Sequence, residues 1–174
     1  TEKQELIHVC MKVIFYAVMT ANGKIAHSRK EEVHWNSAED RKFFFSEMRR
    51  HRAAIMGKGT YEVVKKFRPG WKRIVLTHSP SRKKLPEDYI EFTSRPLKEI
   101  LKSLKKQKFR SVSLVGGASV YSQFLEQGLV DELMITIEPK IFGEGINIFA
   151  DMKKDFPLKL LNIRKLSNQT FVLH

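Results

Sequence analysis

Ser111-Val112-Ser113-Leu114-Val115-Gly116-Gly117-Ala118-Ser119-Val120-Tyr121-Ser122-Gln123-Phe124 reads as a strand that runs into two glycines and then into a helix. Such a junction can hold a phosphate. The N–H groups of the first helical turn, together with the positive end of the helix dipole, favour an anion. The glycines let a ligand approach the backbone with no Cβ in the way. A plain strand-to-helix turn explains the same residues, so this stretch alone leaves both readings open.

Working outward, strands and helices alternate. Lys12–Met19 is a nearly continuous apolar run, as in a strand buried on both faces of a parallel sheet. Asn22-Gly23 marks a turn, and a helical period runs from after Trp35 to about Arg50. Ala53–Met56 is a short strand, followed by Gly57-Lys58-Gly59-Thr60 and a helix through Lys66. Arg73–Thr77 and Tyr89–Phe92 are further strands on either side of a polar, proline-marked loop, Ser79–Pro86. A lysine-rich helix precedes the Gly-Gly unit; Asp131–Glu138 is a strand stopped by Pro139. Phe156–Leu166 and Gln169–Leu173 are expected as two closing strands, paired antiparallel. The class is therefore α/β, with a mostly parallel sheet, antiparallel C-terminal strands and about four helices. One domain is expected over 11–174, with residues 1–10 an N-terminal extension or an expression remnant.

The 174 residues are enough for one domain with a sizeable core. Cys10 is the single cysteine, so no internal disulfide can form, which suits a reducing cytoplasm. No apolar run reaches membrane-spanning length, and no cysteine–histidine cluster has zinc spacing, so neither a membrane nor a metal is expected. The formal charge of +13 favours anionic ligands. Lys98, Lys102, Lys105, Lys106 and Lys108 alternate with Ile100, Leu101 and Leu104, which describes the solvated face of a surface helix rather than a nucleic-acid patch.

Three strands end in segments suited to anions: Gly57-Lys58-Gly59-Thr60, Thr77-His78-Ser79 and Gly116-Gly117. In open α/β sheets ligands bind beyond the carboxyl ends of strands. Neither glycine segment has the spacing of a nucleoside-triphosphate loop or of the Rossmann fingerprint. A second feature is Trp35-Asn36-Ser37-Ala38-Glu39-Asp40, with Phe44 one helical turn beyond Asp40. A carboxylate beside a ring can grip the amidine-like edge of a flat heterocycle. Ser37-x-x-Asp40 also fits a capping box, in which Asp40 would merely reach back to a backbone N–H.

Taken together, these segments resemble the dihydrofolate reductase superfamily. Met56-Gly57-Lys58-Gly59-Thr60-Tyr61-Glu62 is similar to the M-G-[RK]-x-T-[WFY]-E motif of dihydrofolate reductases, and Val115-Gly116-Gly117-Ala118-Ser119-Val120-Tyr121 to their I-G-G-x-x-[VI]-[YF] segment. Trp35, Asp40 and Phe44 match their pterin-site spacing. Gly128–Leu133, Glu138–Gly145 and Asn22–Ala26 look more like a sister family, the reductase domain of the riboflavin-pathway bifunctional deaminase-reductase.

The resemblance implies the three-layer fold of that superfamily and an NADPH-dependent reductase. It implies that Gly116, Gly117, Ala118, Ser119 and Val120 cradle the cofactor diphosphate, with Gly57 and Thr60 opposite. Lys58, Thr77, His78 and Ser79 would meet the adenosine-side phosphate, and Tyr121 would sit near the nicotinamide. Asp40, Thr136 and Trp35 would form the catalytic side, with Phe44, Val18 and Trp71 on the substrate. Trp71 stands where dihydrofolate reductases carry an arginine for the folate tail. The Asp40–Thr136 pair favours a pterin; the alternative is the phosphoribosylaminopyrimidine of the riboflavin pathway. A basic nucleic-acid-binding protein on a degenerate reductase fold is the remote third. A homodimer is expected by analogy with the family.

Overall fold

A computed structural model describes residues 11–29, 31, 33–64, 70–79 and 89–174. Cys10 and the proposed extension, the end of the second helix and most of the Ser79–Pro86 loop lie outside the described residues.

The elements follow the expected alternation. They are β1 (Lys12–Thr20), β2 (Lys24–Ala26), α1 (Ala38–His51), β3 (Ala53–Gly57), α2 (Lys58–Val63), β4 (Lys72–Leu76), β5 (Ile90–Thr93) and α3 (Leu97–Lys106). Then come β6 (Ser111–Leu114), α4 (Ala118–Glu126), β7 (Glu132–Glu138), β8 (Ile146–Asn147), β9 (Ile163–Lys165) and β10 (Phe171–Leu173). Eight strands form one sheet in the order β5-β4-β3-β6-β1-β7-β10-β9. The first six are parallel, and β10 is antiparallel to both β7 and β9. All six parallel strands therefore deliver their carboxyl ends to one rim.

β1 lies near the centre, between β6 and β7, which is why its sequence is apolar on both faces. Phe15 and Val13 pack with Ile55, Leu114, Ile100 and Phe124 on the side of α3 and α4. Ile14 and Tyr16 pack with Phe43, Met48 and Met56 on the side of α1. Helix α3 buries Leu97, Ile100 and Leu104 and turns its lysines to solvent, as its period predicts.

The loops are tied by specific contacts. Asn22 donates from Nδ2 to the Phe142 carbonyl at 2.8 Å and accepts the Phe142 N–H at 3.2 Å. Gly145, at φ +146°, lies so close to β2 that a Cβ there would sit 2.5 Å from the Ala26 carbonyl oxygen. The small β2–β8 ribbon was not anticipated. The first closing strand needs correction: of Phe156–Leu166 only Ile163–Lys165 is strand. Its partner β10 is three residues long, so pairing stops after Leu161 and Asn162 donate to the His174 carbonyl. Leu158, Leu160 and Leu161 are left exposed.

Candidate active site

The rim of the parallel strands opens into a cleft of about 1550 Å³. Its walls come from the ends of β3, β4, β5 and β6 in one half and of β1 and β7, with α1, in the other. That is room for two ligands side by side.

The glycine turn forms the floor between the halves. Gly116 has φ +112°, a conformation open to glycine alone. A Cβ there would lie 3.1 Å from the Tyr121 hydroxyl oxygen. The Gly116–Gly117 peptide is cis. The Gly116 carbonyl accepts the Gly57 N–H at 2.8 Å, which couples the two glycine segments across adjacent strands. A Cβ on Gly57 would press on Val120 Cγ2 at 3.2 Å, and one on Gly117 would point at Thr60 Oγ1, 3.5 Å away. No side chain caps α4 at Gly117, so its first N–H groups face the cleft without a competing cap. This cradle of bare backbone, a hydroxyl and a helix start fits a dinucleotide diphosphate.

Beyond it, the Thr77 N–H donates to Thr93 O at 3.0 Å, and the Ser79 N–H to Thr77 Oγ1 at 3.3 Å. His78 and Ser79 are exposed at the cleft wall. Lys58 is also exposed, its ammonium 3.8 Å from Glu62. An exposed pair of this kind is readily given up for a better anion. A fourth strand end, Thr93-Ser94-Arg95, lines the same wall and was missed. Its signal was a strand passing through Ser-Arg-Pro into a helix; the polar loop before it hid the strand's length. Arg95 donates to Thr93 Oγ1 and pairs with Glu91.

In the other half, Asp40 is 4% exposed. Its carboxylate accepts Asn36 Nδ2 at 2.7 Å and faces the Thr136 side chain. Burial pushes its pKa up, Thr136 and Asn36 pull it down, and the nearby Glu138 raises it further. The capping reading holds in half. Ser37 is the N-cap and its Oγ accepts the Asp40 N–H at 3.1 Å, but the Asp40 side chain does not return the bond. Phe44 and Val18 line the wall beside it.

Trp35, expected on the catalytic side, and Trp71, expected on the substrate, do not line the cleft. Trp71 is buried at the start of β4, at the opposite edge of the sheet from the rim, among Phe43, Met48 and Val75. Trp35 lines a smaller pocket on the outer side of the α1 start, with its ring edge-on to Phe142 at 5.1 Å. Tyr121 does line the cleft, but its hydroxyl is spent on the Tyr16 carbonyl at 2.6 Å. Burial pushes its pKa well above the usual tyrosine value.

Comparisons with known proteins agree with this geometry. The family model described as RibD C-terminal domain matches residues 11–172. The uncharacterized protein YyaP of Bacillus subtilis (strain 168) is 38% identical over 77 residues, which are 44% of this chain and 41% of YyaP. The uncharacterized protein YwjB of the same organism is 27% identical over 125 residues, covering 69% of this chain and 70% of YwjB. Among solved structures, a diaminohydroxyphosphoribosylaminopyrimidine deaminase/5-amino-6-(5-phosphoribosylamino)uracil reductase from Thermotoga maritima shares the fold. Its TM-score is 0.74 at 23% identity, over 94% of this chain and 55% of that one.

Proposed function

Because this chain belongs to the RibD C-terminal domain family, we propose that it is a nicotinamide-dependent reductase of the pyrimidine reductase type, acting on the C=N bond that a phosphoribosylamino-pyrimidine forms between its exocyclic nitrogen and the sugar's C1 when the sugar ring opens. The observation that carries the reading is the single cleft in which a bare glycine turn adjoins a buried acid facing Thr136. A pterin, the leading expectation from Asp40 and Thr136, gives way to the pyrimidine alternative, because the matching family is the riboflavin-pathway one.

Gly116, Gly117, Ala118 and Ser119, with Gly57 and Thr60, would hold the diphosphate. Lys58, Thr77, His78, Ser79 and Arg95 supply the donors and charge that favour NADPH over NADH, the two differing by one phosphate. When bound, the reduced nicotinamide supplies the hydride. The chain's own residues do the rest. Asp40 accepts hydrogen bonds from the ring's N–H edge and favours positive charge at the nitrogen that must take a proton. Thr136 and Asn36 fix its carboxylate. Phe44 and Val18 press on the ring and exclude water.

The test is loss of reduced-nicotinamide absorbance with 5-amino-6-(5-phosphoribosylamino)uracil and, separately, with dihydrofolate. Turnover with the pyrimidine supports the reading; turnover with neither, at saturating NADPH, refutes it. A pterin remains the second reading on one observation, Thr136 facing the buried Asp40 carboxylate, and turnover with dihydrofolate alone would select it.

The reading extends to assembly and place. A homodimer is supported by Leu158, Leu160, Leu161 and Ile163, all more than half exposed along or beside the edge strand β9; sedimentation tests it. No helix of the described residues is long and apolar enough to cross a membrane. A cytoplasmic setting fits the proposed cofactor and substrate.

A further inference from the structure

Ser37 and Asp40 have the spacing of a capping box, in which the residue three places into the helix turns its side chain back onto the cap's own N–H. Here that bond comes from another strand. The Ser37 N–H donates to Glu138 Oε1 at 2.8 Å, and Ser37 Oγ donates to the same oxygen at 2.6 Å. Oε2 of Glu138 accepts from Thr170 Oγ1 at 3.0 Å. Glu138 is 3% exposed, so these charge-assisted bonds are made away from water. It stands two residues beyond Thr136 on β7, hence on the same face of the sheet. One strand thus meets the first turn of α1 at two points, Glu138 bonded to Ser37 and Thr136 facing Asp40.

We infer that Glu138 is a positioning residue for Asp40: it takes over the capping bond to the Ser37 N–H and so keeps the Asp40 carboxylate turned to the cleft. The kinetic consequences rest on the proposed reduction; the placement of Asp40 does not. The groups that face Asp40 are Thr136 and Glu138 from β7, Asn36 from the loop before α1, and Arg41 from the helix itself. Glu138 is faced by Ser37 and Thr170, with Glu39 and Lys140 in the wall of the pocket it lines.

The experiment compares Glu138→Gln and Glu138→Ala with the parent protein. Gln keeps an oxygen for Ser37 and an NH2 for Thr170 Oγ1 but loses the charge. It should therefore retain kcat while the acid limb of the pH profile moves to lower pH. Ala frees the Ser37 N–H, and Asp40 turns back to cap it. The pyrimidine kcat/KM should then fall on the order of 30-fold while the affinity for NADPH, proposed to be held at the ends of β3, β4, β5 and β6, is unchanged. A second readout needs neither ligand: the carboxyl resonance of Asp40 in protein carrying 13C-aspartate, assigned by its loss in Asp40→Asn, followed against pH. Its midpoint should fall in both variants, since each removes a neighbouring negative charge.

A Glu138→Gln variant that loses kcat/KM, although it keeps an acceptor for the Ser37 N–H, overturns the inference even if the Ala variant fails to fold. So does an Ala variant that matches the parent in kcat/KM, or one that loses NADPH affinity in parallel with substrate. If the parent protein turns over no pyrimidine, the reaction reading falls and the resonance alone decides the placement of Asp40.

Discussion

Asp40 is an acid kept where an acid is costly. Burial opposes its charge, and three polar neighbours only partly offset that: Thr136, Asn36 and Arg41. A group whose folded pKa lies above its unfolded value lends stability below the unfolded pKa and loses it as pH rises through the folded one. Asp40→Asn should therefore raise the melting midpoint at neutral pH, with the gap closing below the ordinary 3.8 of aspartate. The same variant should lose about 10²–10⁴ in turnover with NADPH affinity intact. Calorimetry against pH and steady-state kinetics check the two halves; an equally active variant removes Asp40 from the chemistry. Arg95→Ala and Lys58→Ala should each weaken NADPH about tenfold, one charge-assisted contact of ~1.5 kcal/mol, and NADH much less. Equal losses for both cofactors would reassign those side chains.

At the scale of elements, α1 explains what could and could not be read from the sequence. Its extent was legible because Phe43, Phe44 and Met48 recur at helical spacing. Its buried stripe also carries Asp40, Glu47 and His51, which a hydrophobic pattern cannot flag. Tyr16 donates to Glu47 at 3.0 Å and meets His51 Nε2 at 2.8 Å, while His51 Nδ1 meets Ser111 Oγ at 2.6 Å. Burial holds His51 below its ordinary 6.5, against the pull of Glu47. A depressed folded pKa gives stability above the unfolded value that is lost as pH falls through the folded one. The melting midpoint should thus drop as pH goes below 6.5, and His51→Gln should flatten that slope. The glycine turn was legible as a motif, but its strain was not. At φ +112° and against the Tyr121 hydroxyl, Gly116→Ala should cost about 1–3 kcal/mol and abolish NADPH binding. Chemical denaturation and cofactor fluorescence report on each.

For the whole molecule, the alternation of strands and helices was enough to give the sheet and its ligand rim, since parallel strands must end together. Three of the four strand ends that line one half of the cleft were legible because glycine, lysine and threonine interrupt apolar runs. The end of β5 was not, because Thr93-Ser94-Arg95 looks like ordinary loop. Trp35 and Trp71 were matched by spacing to a family motif, and spacing does not say which side of a helix start or which edge of a sheet a residue occupies. Glu138 escaped notice because its partners, Ser37 and Thr170, are far away in sequence.

The central claim is that one rim places a dinucleotide against a ring held by Asp40. Cofactor carrying deuterium at the transferable position of the reduced nicotinamide tests it most directly, with the pyrimidine product weighed by mass spectrometry. Product one mass unit heavier, formed by the parent protein and scarcely at all by Asp40→Asn, is the predicted result. Unlabelled product, or labelled product formed equally fast without the acid, would contradict it.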